Sequence, residues 1–154
     1  MRVAVEVYRR ENCLEGRELS REIEELGIEE ECSVSVSKIY VIELDEDSVP
    51  GNSDERIKRI AGEILIDPVV EKYSVGIRSM EGVSVEVYFK KGVLDIAGRR
   101  AAEAAELAGL GEGLISVSSG DRYVISGSVC DMEKCRYISE KLFYNKVIQQ
   151  ATCR

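Results

Sequence analysis

The sequence has 154 residues, of which 44% are apolar and 32% are charged, a composition typical of globular proteins. A net charge of −8 and the absence of Trp argue against a nucleic-acid partner, which favours a basic surface with aromatic side chains for base stacking. No apolar run approaches the roughly 20 residues of a membrane-spanning helix, and no signal-peptide pattern follows Met1, so we expect a cytoplasmic protein without a membrane partner.

The first half of the chain predicts three strands and two helices. Val3, Val5 and Val7 alternate with other residues, which is the pattern of a strand with one buried face. The predicted elements are a strand at 2–8, a helix at 16–26, a strand at 33–44, a helix that Ser53 caps and Asp67-Pro68 ends, and a strand at 69–77.

The second half repeats this plan. Val83-Ser84-Val85-Glu86-Val87-Tyr88 differs at one position from Val3-Ala4-Val5-Glu6-Val7-Tyr8. Later landmarks match in the same order: Gly16-Arg17 with Gly98-Arg99, Tyr40-Val41-Ile42 with Tyr123-Val124-Ile125, and Val69-Val70 with Val147-Ile148. The predicted elements are strands at 84–90 and 147–153, a strand pair or one bent strand at 114–128, and helices at 98–108 and 131–144.

An internal duplication of this kind decides the predicted architecture. We expect an α+β fold of two tandem β-α-β-α-β repeats, residues 1–78 and 79–154, with mainly antiparallel sheets and helices on one face. Each repeat is small and buries a thin core, so we expect the two to pack as an intrachain pseudo-dimer. The recurrence of Glu6 and Tyr8 as Glu86 and Tyr88 predicts that the second strand face is partly buried against the other repeat.

Catalytic chemistry has little support in the sequence. The chain contains no His, so neither a Ser-His nor a Cys-His nucleophile can form, and we expect no catalytic, cofactor-binding or metal-binding residues. The five Cys contain no C-x-x-C pair, which predicts reduced thiols. Cys135 aligns with Ile57, a core position, and is expected to be a buried apolar thiol.

Two further patterns have some features of binding sites. Basic residues cluster after the first strand of each repeat and at one helix start, where they are candidates for contact with an anion or a partner, or simply keep the surface solvated. They are Arg9, Arg10, Lys90, Lys91, Arg99 and Arg100. The glycine-rich run at 109–113 follows a helix and lacks the Lys-Ser/Thr of a phosphate loop, which favours a helix C-cap.

The matched segments resemble a known family. They include Leu14-Glu15-Gly16-Arg17 and its counterpart Leu94-Asp95-Ile96-Ala97-Gly98-Arg99, Val36-Ser37-Lys38-Ile39-Tyr40, and the run from Glu63 to Tyr73. In this order, twice over, they resemble the PurS family, the small subunit of phosphoribosylformylglycinamidine synthase, and the PurS-like N-terminal region of the single-chain enzyme. The chain departs from the family in its double length, and Lys146 stands where Pro is usual.

The resemblance implies a non-catalytic, structural role in purine biosynthesis. It predicts a subunit without activity alone and without cofactors, which bridges a synthetase (PurL-type) and a glutaminase (PurQ-type) subunit and aids ammonia transfer between them. PurS-like chains usually carry one repeat and dimerise, so the tandem chain would be a covalent dimer, and a further homodimer is possible. The alternative is a tandem α+β regulatory module that binds an amino acid or a nucleotide near Gly92, Gly109, Gly111 and Gly113.

Overall fold

The computed structural model describes residues 1–11, 14–27, 32–48, 51–127 and 131–154, and its elements are as follows. They are β1 (Arg2–Arg9), α1 (Leu14–Glu25), β2 (Cys32–Leu44), α2 (Ser53–Ile60), β3 (Glu71–Val75), β4 (Val83–Phe89), α3 (Ile96–Leu107), β5 (Leu114–Gly127), α4 (Met132–Ile138) and β6 (Gln149–Cys153). Two π-helical segments, Ala61–Leu65 and Ser139–Phe143, continue α2 and α4.

The strands form one open sheet in the order β3-β1-β2-β5-β4-β6. β1 pairs antiparallel with β2 and β3, and β4 pairs antiparallel with β5 and β6. Val5 lies opposite Tyr40, and Val85 lies opposite Tyr123. The predicted α+β class with antiparallel pairing is confirmed, and the two similar strands β1 and β4 occupy matching places in their antiparallel pairs.

The chain divides into two compact units, each built from three segments. The first unit contains residues 1–10, 38–78 and 94–119, and the second contains residues 11–37, 79–93 and 120–154. The compact units therefore take segments from both halves of the sequence. The division at residue 78 stays a prediction about the repeat, and not a description of the units.

Helices cover one sheet face in the first unit. Val5 and Val7 point to the same face of β1 because side chains alternate along a strand. They share a buried cluster with Ile57 and Ile60 of α2 and Ala101 of α3. In this unit, α3 thus completes a core whose strands β1 and β3 come from the first half of the sequence.

The second unit is built in the same way with its own buried cluster. Val85 and Val87 of β4 lie beside Ile138 of α4 and Ile23 of α1. The ring of Tyr123 stacks on that of Phe143, with centroids 4.2 Å apart. Here α1, from the first half of the sequence, completes the core.

Several predicted boundaries differ from the structure. Asn52, and not Ser53, is the N-cap of α2, because its side chain accepts a hydrogen bond from the Asp54 backbone N–H at 2.9 Å. β3 and β6 begin two residues later than predicted, so Val69 and Val147 lie in turns. The predicted helix at 131–144 changes to π-helical geometry after Ile138.

The predictions for the cysteines are only partly confirmed. Cys135 is fully buried, as its match to Ile57 predicts, but it is disulfide-bonded, so the prediction of a thiol at this position is wrong. Cys32 and Cys153 are not disulfide-bonded. Cys13 and Cys130 lie outside the described residues.

Within the described ranges, no helix is both long and apolar enough to cross a bilayer.

Candidate partner-binding surface

The six basic residues that the sequence singles out lie on or directly after three elements, and both units contain some of them. Arg9 ends β1 and Arg10 follows it, Lys90 and Lys91 follow β4, and Arg99 and Arg100 lie in α3. All six are exposed. The second unit contains only the two lysines, so the structure does not place all six in one unit.

The N-terminal end of α3 already carries an anion of its own. The Asp95 carboxylate accepts hydrogen bonds from the Gly98 N–H at 2.9 Å and from the Ser119 hydroxyl at 2.6 Å. Arg99 donates to Glu103 on the same helix at 3.0 Å. A carboxylate therefore satisfies the helix end, which disfavours a second anion there. Among the six residues, those at this helix are the least suited to hold one.

A hydrogen-bonded turn precedes β3 in the first unit, and we name residues 67–71 the Pro68 turn. The Asp67 carboxylate accepts from the Val69 N–H at 3.0 Å, and the Glu71 carboxylate accepts from the Asp67 N–H at 2.8 Å. The Glu71 N–H donates to the Asp67 carbonyl at 2.8 Å. The two acidic side chains thus accept hydrogen bonds from backbone N–H groups that the backbone of the turn itself does not satisfy.

An equivalent turn precedes β6 in the second unit, and we name residues 145–149 the Lys146 turn. The Asn145 side-chain oxygen accepts from the Val147 N–H at 2.9 Å, and that of Gln149 accepts from the Asn145 N–H at 3.0 Å. The Gln149 N–H donates to the Asn145 carbonyl at 2.8 Å. Each of these bonds has its counterpart in the Pro68 turn.

Both turns expose an apolar pair. Val69 is 80% exposed and Val147 is 79% exposed, while their neighbours Val70 and Ile148 are 42% and 38% exposed. Single exposed apolar residues are common on protein surfaces. An adjacent pair, held out by the same hydrogen bonds in both units, instead favours an interaction surface.

A basic residue adjoins each apolar pair. The Arg10 N–H donates to the Val70 carbonyl at 2.9 Å, and the Lys90 N–H donates to the Ile148 carbonyl at 2.8 Å. The strands that follow the turns, β3 and β6, are edge strands of the sheet, with backbone groups open to a partner. We call each turn with its basic neighbour a docking turn.

The docking turns suit protein binding better than catalysis. They combine an apolar contact, a cation and an open strand edge, which are elements of protein interfaces. Among the described residues, no group of three or more Cys, Asp or Glu is arranged to hold a metal ion. The Lys146 ammonium lies 2.8 Å from the Glu140 carboxylate, and this hydrogen bond raises the pKa of Lys146 above its ordinary value.

The glycine-rich run after α3 has a structural explanation. The Gly109 N–H donates to the Glu106 carbonyl at 3.0 Å, and Gly109 has a φ of 76°. The Leu110 N–H donates to the Ala105 carbonyl at 2.8 Å. This left-handed helix ending confirms the predicted C-cap. The run therefore gives no specific support to a regulatory ligand site.

Sequence reasoning missed the docking turns although it matched their residues. It interpreted Val69-Val70 and Val147-Ile148 as strand starts because β-branched apolar pairs favour strands. The signal that could have found the turns is the polar pair that brackets each of them, Asp67 and Glu71 or Asn145 and Gln149. Two side chains of these types, spaced four residues apart, can accept hydrogen bonds from backbone N–H groups within the turn.

Comparison with protein families matches residues 2–79 to the family described as PurS, phosphoribosylformylglycinamidine (FGAM) synthase. This span is just over half of the chain and contains β1, α1, β2, α2, the Pro68 turn and β3. It stops short of β4, so the duplication of the second half stays a prediction. A search of curated proteins gives no match to the chain.

Proposed function

Because the chain belongs to the PurS family of FGAM synthase, we propose that it is a non-catalytic assembly subunit of this enzyme in purine biosynthesis. In this role it bridges the synthetase (PurL-type) and glutaminase (PurQ-type) subunits and helps ammonia to pass from one to the other. The family match carries the proposal. The docking turns add to it, because each compact unit offers one of them.

We infer that the tandem repeat replaces the dimer that PurS-like chains with a single repeat form. The two turns support this inference, since they share their backbone geometry and their exposed apolar pairs. One chain then presents two docking turns without needing a second copy. A further homodimer through an edge strand is compatible with this arrangement.

The experiment is reconstitution with the purified synthetase and glutaminase subunits from the same genome. FGAM formation is measured with glutamine and, separately, with ammonium as the nitrogen source, with and without the chain. We expect the chain to raise the glutamine-dependent rate by at least roughly tenfold and the ammonium-dependent rate much less, because only the first needs assembly. The chain alone should be inactive.

A matched pair of variants connects this activity to the turns. Val69→Ser with Val147→Ser should weaken assembly, whereas Leu107→Ser, which changes a 91% exposed apolar residue of α3, should not. Turnover by the isolated chain, or equal glutamine-dependent rates with and without it, would contradict the proposed function.

A further inference from the structure

The two docking turns share their hydrogen bonds but not their charge. At both acceptor positions an amide replaces a carboxylate, Asn145 for Asp67 and Gln149 for Glu71, and the distances stay within 0.2 Å of each other. Neither replacement alters the turn, because an amide oxygen accepts the same hydrogen bond. The difference therefore affects what the turn presents to its surroundings, and not how it folds.

The replacements change the electrostatics around the exposed pairs. The Pro68 turn has two carboxylates and no basic side chain, and its basic neighbours are Lys72, which follows it, and Arg9 and Arg10 at the end of the strand beside it. The Lys146 turn has no carboxylate and one lysine, and Lys90 and Lys91 follow the strand beside it. Lys146 is paired with Glu140. Within the described ranges, no carboxylate lies at ion-pair distance from Lys90 or Lys91.

The Lys146 turn differs in the sign of its charge from the chain as a whole. The net charge of the chain is −8, so most of its surface repels an acidic partner. At the Lys146 turn, the 79% exposed Val147 instead lies between residues with amide side chains, and the Lys90 backbone N–H donates to the carbonyl of the neighbouring Ile148. An apolar contact with a positive border fits a protein surface that has an apolar pocket bordered by carboxylates.

We propose that the two docking turns differ in specificity, and that the Lys146 turn binds a protein partner whose contact site is apolar and bordered by carboxylates. The Pro68 turn, with its own carboxylates beside Val69, disfavours that partner by like-charge repulsion. This inference rests on the proposed function, in which the chain holds two different subunits. Because of its charge, the Lys146 turn is assigned to whichever of the two subunits has the more acidic contact site.

The test gives the Lys146 turn the two carboxylates of the Pro68 turn while keeping the hydrogen bonds of the turn. Asn145→Asp with Gln149→Glu gives the Lys146 turn the acceptors of the Pro68 turn, which already form the same bonds, so the variant should fold. The control is Ser79→Glu with Met80→Glu, which adds the same charge at exposed positions outside both turns. Thermal unfolding checks the folding of each protein.

Binding to the purified synthetase and glutaminase subunits is measured separately, at low and at high salt. For one of the two subunits we expect the turn variant to bind roughly tenfold more weakly at low salt and with less salt dependence, because rim charges act through long-range attraction. The control should stay within about twofold of the unmodified chain. The reciprocal Asp67→Asn with Glu71→Gln should strengthen binding of the same subunit.

Equal affinity and equal salt dependence of the turn variant and the unmodified chain would overturn the inference while leaving the proposed function intact. An equal loss in the control would also overturn it, because net charge alone would then explain the effect. If the unmodified chain binds neither subunit, the proposed function itself fails.

Discussion

Glu6 is the fully buried carboxylate of β1, on the strand face opposite Val5 and Val7. It accepts hydrogen bonds from the Arg78 backbone N–H at 2.8 Å and from the Arg78 guanidinium at 3.1 Å. The same guanidinium lies 3.5 Å from the centre of the Tyr8 ring. A buried charge is tolerated only when it is paired in this way, so the pair holds the segment after β3 against β1.

Replacing Glu6 with Ala should therefore destabilise the protein. The variant leaves partly buried donors of Arg78 without their acceptor, and we expect a loss of about 2–4 kcal/mol in the free energy of unfolding. Urea unfolding measures this loss. Glu63→Ala is the control, because Glu63 pairs with Arg59 on the surface, where solvent screens the charges and such pairs contribute little to stability. Similar losses in both variants would contradict the role assigned to Glu6.

Only part of this cluster could be predicted. The repetition of Val-Glu-Val-Tyr indicated that Glu6 and Tyr8 lie on a partly buried face. Their partner Arg78 lies far away in the sequence and has no local pattern. In the second repeat, Tyr88 donates to Glu86 at 3.3 Å, and the buried arginine, Arg122, lies opposite Glu86 in β5. Because the two arginines come from different elements, the repeat could not reveal them.

At the scale of elements, two matching glycines set how closely helices approach strands. Gly16 in α1 and Gly98 in α3 are both buried. A Cβ on Gly16 would overlap the Val34 carbonyl oxygen of β2, and a Cβ on Gly98 would lie 2.5 Å from that of Val117 in β5. The helices α3 in the first unit and α1 in the second therefore pack directly on the backbone of a strand.

Gly16→Ala and Gly98→Ala should each destabilise the protein by about 1–3 kcal/mol, because the helix must move away from the strand. Ala favours helices over Gly by about 1 kcal/mol, so a loss would show that packing outweighs propensity. Thermal unfolding of Gly62→Ala provides the comparison. A Cβ there would meet nothing closer than the Tyr73 ring at 3.7 Å, so this variant should be neutral or more stable. A gain in stability for Gly16→Ala would refute the close approach.

The existence and order of the elements could be predicted because periodicity reports which residues face a core. The π-helical segments could not, since a shift of one residue in the hydrogen bonds barely changes the apolar stripe at Ile57, Ile60 and Ile64. The docking turns were hidden for a different reason. The polar residues at the two ends of each turn act through hydrogen bonds to the backbone, and the spacing of apolar residues does not reveal such bonds.

At the scale of the whole molecule, each core depends on a helix from the opposite half of the sequence. Ala101 and Ala105 of α3 belong to the first cluster, and Ile23 of α1 belongs to the second. The repeat predicts the helices but not this exchange. The predicted duplication would let either helix match either core, and only contacts between distant segments decide which one is used.

The exchange predicts how the isolated halves behave. A fragment of residues 1–78 lacks α3 and the start of β5, so it would leave the apolar faces of β1 and α2 without their cover. A second copy of the fragment can supply its own α1 in place of α3, since Gly16 and Gly98 serve the same packing. We therefore expect the fragment to fold only as a dimer, with a thermal midpoint that rises with concentration.

Light scattering after size-exclusion chromatography and circular dichroism measure this behaviour. The fragment of residues 79–154 should do the same, and a mixture of the two should form a heterodimer, because each then regains the helix that its core has in the intact chain. The intact chain is the control, since it holds both helices covalently and should keep its structure on dilution. A folded monomer of residues 1–78 would show that the first core is complete without α3, and the exchange would then not be what stabilises it.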